Sequence, residues 1–155
     1  MAKRRRTRSP LRTLMRWCLV LAILALFVYW GNTDIKTDPV SYTASALPAA
    51  FDGLRIVQLS DLHNREFGES NARLYQAVEQ AGPDVIFLTG DLVDEYAEEP
   101  VPYARAVGRA LSAIAPTYYV TGNHEWAHGN AVVEEIKTAL REAGVTVLSN
   151  EYVPL

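Results

Sequence analysis

The sequence has one cysteine, Cys18, and it falls inside an apolar run. That excludes an intramolecular disulfide, a CxxC redox pair and a multi-thiolate zinc site. Histidine is also scarce, with only His63, His124 and His128. No Gly-rich phosphate loop follows any of the expected strands, which argues against a nucleotide-binding module. Acids are missing from the N-terminal segment up to Arg16, where Lys3, Arg4, Arg5, Arg6, Arg8, Arg12 and Arg16 make up seven of the fifteen basic residues. From Trp17 onward the other eight basic residues face all 18 acids, a balance of −10 that the net charge of −3 conceals. So acidic a body repels a phosphate backbone, and no nucleic-acid partner is expected. Carboxylate-rich pockets suit cations instead.

With 155 residues and 49% apolar content, the chain has room for one domain plus a tail. Residues 17–30 are an unbroken apolar stretch, and Leu14, Met15 and Gly31, with Arg16 snorkelling outward, bring it near spanning length. A cleaved signal peptide would need small residues close behind this stretch, but Tyr29, Trp30, Gly31 and Asn32 stand there and Ala44-Ser45-Ala46 is too distant. The organisation expected is a basic cytoplasmic tail (1–16), a transmembrane anchor (17–31), a linker (32–50) with an edge strand near 40–44, and a folded domain (51–155). Basic residues before the span and only Lys36 just after it put the N-terminus in the cytoplasm of a single-pass cell-membrane protein. The body then lies outside the cytoplasm. A twin-arginine export reading of Arg4, Arg5 and Arg6 places it on the same side.

From Leu54 the pattern is regular. Strands are expected at 54–59, 85–88, 118–120 and 145–148, and helices at 73–81, 103–114 and 131–143. Ser70 or Asn71 caps the first helix; Gly82 and Gly144 stop the first and third. Tyr103, Ala106, Val107, Ala110, Leu111 and Ile114 form one apolar helix face, and Val132, Ile136, Ala139, Leu140 and Ala143 another. Strands alternating with helices define an α/β fold with parallel strands, βαβαβαβ. Ligands of such sheets bind at the loops leaving the carboxyl ends of the strands.

Those loops carry Ser60-Asp61-Leu62-His63, Thr89-Gly90-Asp91-Leu92-Val93-Asp94 and Thr121-Gly122-Asn123-His124-Glu125. Gly90 and Gly122 let the backbone turn sharply. If the chain stays extended, Asp61 and His63 point the same way and converge on one cation. Asp91 can bridge two ions with its two oxygens, a recurrent device in phosphoester hydrolysis, and Asn123 offers an amide oxygen to the second. Oxygen and imidazole donors without thiolate suit manganese, iron or zinc. His124 is the candidate proton donor to a leaving alkoxide, with Asp94 as its orienting carboxylate. The bland alternatives are a solvated acidic loop for Asp94, a surface histidine for His128 and loop packing for Trp126. Glu125 either orients a neighbour or caps local structure.

In order and strand context these residues resemble the calcineurin-like metallophosphoesterases. The family motifs D-x-H, G-D-x-x-D and G-N-H-[DE] stand as Asp61-Leu62-His63, Gly90 to Asp94 and Gly122 to Glu125, most like bacterial membrane-anchored members with a Ser-Asp-Leu-His first motif. The resemblance covers about residues 54–148. It implies the N-terminal half of a layered αββα sandwich and a metal-dependent phosphoesterase acting on phosphomonoesters or phosphodiesters. It also implies two divalent metal ions, one on Asp61, His63 and Asp91 and the other on Asp91 and Asn123, with His124 and Asp94 as acid dyad. Anchoring suggests a lipid-linked or envelope substrate by proximity alone.

Two departures qualify the resemblance. Glu95 occupies the position where the protein-phosphatase branch has a phosphate-gripping arginine, and the downstream G-H-x-H histidines are absent. We therefore expect a truncated domain whose second metal binds weakly and whose hydrolysis alone is impaired. The competing reading is a membrane-tethered metal-binding or interaction protein without catalysis.

Overall fold

The computed structural model describes residues 10–154. Lys3, Arg4, Arg5, Arg6 and Arg8, and with them the twin-arginine reading and much of the basic tail, lie outside the described residues, as does Leu155. The chain divides into two compact units, Met1–Lys36 and Thr37–Leu155.

In the first unit, α1 spans Pro10–Thr33. It begins ahead of the apolar run, with Pro10 at a first-turn position where its missing N–H costs nothing. Leu11, Trp17, Leu21, Phe27 and Trp30 are all more than half exposed, so the helix is apolar all round. The segment Pro10–Gly31 has mean hydropathy 2.0 over its most apolar window. At 22 residues and 1.5 Å per residue it reaches about 33 Å, enough for a hydrocarbon core of about 30 Å.

The second unit opens without the edge strand expected at 40–44. Those residues pair with nothing in the sheet, and Val40 and Tyr42 are 90% and 78% exposed. An alternating pattern with no ladder to join has nothing to hold it extended. A 3-10 turn at Ala49–Phe51 leads into the sheet.

The sheet has four strands, β1 (Ile56–Leu59), β2 (Val85–Thr89), β3 (Thr117–Val120) and β4 (Thr146–Val147), all parallel and in sequence order. Between them run α2 (Ala72–Ala81), α3 (Pro100–Ser112), the short α4 (Asn123–Ala127) and α5 (Asn130–Glu142). This is the expected α/β fold. Because each crossover steps the same way across the sheet, crossovers of one hand put α2, α3 and α5 on one face. Burial follows that rule at every position but Val85, which is buried although it pairs with exposed Ile56. Ile86, Leu88, Thr117, Tyr119 and Val147 are buried, whereas Ile56, Gln58 and Val120 on the alternate positions are exposed and Phe87 and Tyr118 half-buried. A second sheet facing those residues, as in the expected sandwich, is not among the described residues.

Both amphipathic helices turn differently from the expected faces. In α3 the buried residues are Pro100, Ala104, Val107, Gly108 and Leu111, while Ala106 is exposed. Gly108 decides this. A Cβ there would stand 2.7 Å from Leu140 Cδ2, so the missing side chain lets α3 and α5 approach closely. In α5 Val133, not Val132, is fully buried beside Ile136, Ala139 and Leu140. Lys137 is also buried, with its ammonium on Glu134 at 2.8 Å and 5.1 Å from the Trp126 ring centroid. Asn71 sits at the N-cap of α2 but makes no capping bond; its amide oxygen accepts the Phe67 N–H at 2.8 Å instead. Gly82, in the left-handed conformation, ends α2 as expected.

Candidate metal centre

The parallel pairing of β1 and β2 continues beyond the strand ends into their exit loops. The N–H groups of Asp61, His63 and Asn64 donate to the carbonyls of Gly90, Asp91 and Leu92 at 3.2, 3.0 and 3.2 Å. The backbone there is not extended as the sequence reading required. Asp61, His63 and Asn64 have φ of 57°, 46° and 54°, and Asp91 has 49°. A non-glycine residue in this region costs on the order of 1–3 kcal/mol, and the inter-loop hydrogen bonds hold it there. Asp61 and His63 therefore meet through a left-handed turn rather than along a strand, with His63 Nε2 3.8 Å from Asp61 Oδ1.

β3 exits into Gly122 and α4, so Asn123, His124 and Glu125 lie on a short helix rather than in the loop expected from the sequence. Gly90 has φ +93°, the turn conformation glycine favours. Gly122 does not, at φ −98°. Its requirement is space: a Cβ at Gly122 would overlap the Asp91 amide nitrogen and Oδ1. The two loops thus press backbone against backbone, and Asp91 Oδ1 accepts the His124 N–H at 3.0 Å.

Beneath this junction lies Glu125, fully buried. Its carboxylate accepts three backbone N–H groups, from Gly122 at 2.6 Å, Asp91 at 3.1 Å and Val93 at 3.1 Å. The first is half of a capping box, since Glu125 is three residues after the N-cap Gly122. That spacing was the readable signal. The other two bonds reach across from β2 and make Glu125 the tie between loops. Tyr119, also fully buried, has a hydroxyl without a hydrogen-bond partner. Burial, then the Glu125 and Asp91 carboxylates, push its phenol far up from the ordinary value.

Above the junction, donor atoms of His63, Asp91 and His124 all lie within 4.8 Å of one another. The two imidazoles meet edge to face with centroids 4.4 Å apart. Asp94 stands behind them: Oδ2 is 3.7 Å from His63 Nδ1 and 4.0 Å from His124 Nδ1, while Oδ1 accepts the Tyr96 N–H at 3.0 Å. Asp94 is thus nearer to His63 than to the His124 it was expected to orient. His124 Nδ1 instead accepts the Glu95 N–H at 3.1 Å. Asn123 opens α4 with an exposed side chain. His128, read from sequence as a surface residue, is half-buried with Nε2 2.7 Å from the Asp94 carbonyl. Asn64, absent from the sequence candidates, holds the Asp94 N–H on its amide oxygen at 2.8 Å. Trp126 packs at the loop as expected, donating to Thr121 Oγ1 at 3.1 Å.

The residues fit divalent cations on three observations. His63 Nδ1 is buried with no hydrogen-bond partner, facing the carboxylate that would take its proton if the other ring nitrogen held a metal. Three groups with ligand atoms share one small volume. The glycine at 122 keeps clear the space around the Asp91 carboxylate that a β-carbon would fill. Charge points the same way. An adjoining groove of about 500 Å³ includes Asn64, Glu66, Glu98, Glu99 and Tyr103 in its lining, and an anionic substrate would be repelled there without cations.

Comparison with known proteins matches these features to one family. The model of the calcineurin-like phosphoesterases covers residues 54–152. Over 143 residues the chain is 32% identical to an uncharacterized metallophosphoesterase, YkoQ, of Bacillus subtilis, covering 87% of this chain and 52% of that protein. It is 29% identical over 150 residues to an uncharacterized metallophosphoesterase of Helicobacter pylori, 96% of this chain and 40% of the relative. A Danio rerio transmembrane protein with metallophosphoesterase domain is 30% identical over 140 residues, 86% of this chain and 31% of the relative. The chain belongs to the calcineurin-like phosphoesterase family. It spans about half, or less, of the length of these relatives.

Proposed function

We propose that this protein is a metal-dependent phosphoesterase that hydrolyses phosphomonoester or phosphodiester bonds at a dinuclear centre beside a membrane. The observation that carries the reading is the convergence of His63, Asp91 and His124 from three consecutive strand exits, in a chain of this family. Asp61, His63 and Asp91 would hold one divalent cation, and Asp91 with Asn123 the second; manganese, iron and zinc suit this donor set. Bound there, the cations supply an activated water and neutralise phosphoryl charge. His124 gives its proton to the leaving alkoxide oxygen. Asp94 balances the imidazoles from behind, and Glu125 keeps Asp91 and the start of α4 in register. The segment Pro10–Gly31 is long and apolar enough to anchor the body, and two relatives are named transmembrane proteins. We place the N-terminus in the cytoplasm and the body outside it, where lipid-linked phosphoesters are within reach.

A second reading, a membrane-tethered cation-binding protein without turnover, rests on the histidines. His124 Nδ1 and His128 Nε2 are engaged with the backbone, which leaves His63 as the one imidazole with neither ring nitrogen in a hydrogen bond among the described residues. The test is hydrolysis of a chromogenic phosphodiester with manganese, with Asp91→Asn and His124→Ala beside the parent. Manganese-dependent turnover lost in both variants supports the enzyme. Cation binding without turnover supports the tether, and full activity in both variants removes the assigned roles.

A further inference from the structure

On α5, Lys137 falls one turn after Val133 on the buried stripe and is only 6% exposed. An ammonium taken out of water is costly unless it is paired. This one meets two partners: Glu134 Oε1 at 2.8 Å, and the Trp126 ring on α4, whose centroid is 5.1 Å away. A cation within about 6 Å of an indole centroid is held by the negative face of the ring, more strongly where water is excluded. Methionine would fill the same space with no charge to desolvate.

The Trp126 indole N–H donates to Thr121 Oγ1 at 3.1 Å. Gly122 is the N-cap of α4, so Thr121 precedes the cap and Trp126 is the fourth helical residue. Apolar side chains at those two positions staple the start of a helix and fix the angle at which the chain enters it; here a hydrogen bond joins them. Between them stands Asn123, the first residue of α4, three positions before Trp126 and on the same helical face. We propose that Lys137 is a positioning residue for Asn123: its ammonium seats the Trp126 ring, and the ring's N–H, held on Thr121, fixes the turn that carries Asn123. The proposal rests on the reading of Asn123 as a ligand of the second cation.

The other ties on α4 leave that face to Trp126. The His124 N–H donates to Asp91 Oδ1, His124 Nδ1 accepts the Glu95 N–H, and the Glu125 carboxylate accepts the Asp91 and Val93 N–H groups. All of these reach the β2 exit loop. The face with Asn123 and Trp126 takes part in none of them, and its side-chain polar and ring contacts among the described residues are the two that Trp126 makes. With five residues, α4 cannot hold its own geometry, since isolated helices shorter than about 12–15 residues are marginal. Where Asn123 points is therefore set by what holds this face.

The test takes two readings on the full chain in detergent micelles. One is hydrogen exchange of the Trp126 indole N–H after ¹⁵N-tryptophan labelling; of the three tryptophan signals, it is the one that Trp126→Phe removes. The parent should exchange it more slowly than free tryptophan does. Lys137→Met, which keeps the stem, should lose that protection, and Lys137→Arg, which keeps a cation, should retain it. The other reading is manganese affinity by titration calorimetry. Lys137→Met should weaken the second cation by about tenfold, within the range for partners that orient a ligand from behind. It should have no further effect once Asn123→Ala is present, because the two act at one site. Trp126→Phe keeps a ring for Lys137 but loses the bond to Thr121, so it should weaken manganese likewise, and it decides the question if Lys137→Met does not fold. A parent indole that exchanges as fast as free tryptophan overturns the proposal. So does unchanged affinity in Trp126→Phe, or a Lys137→Met loss equal in the presence and absence of Asn123. If the indole responds as described but Asn123→Ala leaves manganese binding unchanged, the clamp on Trp126 stands and the assignment of Asn123 as a ligand is what fails.

Discussion

The Glu125 carboxylate accepts the Asp91 amide proton at 3.1 Å across 34 residues of sequence, joining the β3 exit helix to the residue at the middle of the metal centre. Two further N–H groups share that carboxylate. A buried charge is expensive unless its oxygens are fully used, and here three donors use them.

Glu125→Ala strands those three amides, at about 1–3 kcal/mol each. It should destabilise the body by at least about 3 kcal/mol, measured as a lowered denaturant midpoint. Glu125→Gln keeps one acceptor oxygen for the Asp91 and Gly122 amides and turns an NH₂ toward Val93, so it should cost less. No loss in Glu125→Gln would show that the carboxylate is only filling space, and equal losses in the two variants that the acceptor oxygen glutamine keeps does not hold the amides.

Gly122→Ala forces a β-carbon onto Asp91. The obstacle is a neighbouring backbone, which cannot rotate away as a flexible side chain would. The variant should lose about 1–3 kcal/mol of stability and bind manganese more weakly than the parent by titration calorimetry. Unchanged affinity would mean that the Asp91 carboxylate does not ligate.

Cations that bind only the folded chain raise its stability by mass action. At a hundred times the dissociation constant the gain is about 2.7 kcal/mol. Manganese should therefore raise the melting temperature of the parent, and a chelator should return it. In His63→Ala or Asp91→Ala the response should vanish; a full response in either would place the cation elsewhere.

Tyr103 donates its hydroxyl to the Arg65 carbonyl at 2.8 Å, and burial first of all pushes its pKa from 10.0 up to about 12. The folded chain then holds this proton more tightly than the unfolded one. The resulting stabilisation is complete below pH 10 and is lost as pH rises through 12. Tyr103→Phe should be less stable than the parent at neutral pH, and the gap should narrow between pH 10 and 12 in alkaline denaturation curves. Curves that stay parallel across this range would show that the phenol does not titrate with unfolding.

Local chemistry was enough to read the alternation of strands and helices, the stop at Gly82, the apolar segment before Gly31 and the three strand-exit motifs, because each depends on side-chain period or on residue type at short spacing. The α/β class and the family follow from those alone. Tertiary packing decided the rest. Gly108 set the α3–α5 approach and so rotated both helix faces, a contact between residues 32 apart in sequence that no helical period encodes. The left-handed turns at Asp61 and His63 exist because the Gly90 and Asp91 carbonyls wait across the loop. The partners of Glu125, His124 and His128 likewise come from the β2 exit loop, brought to α4 only when β2 and β3 pair. Donor types are written in the chain, but which donor faces which acceptor is fixed by strand pairing over long sequence separations.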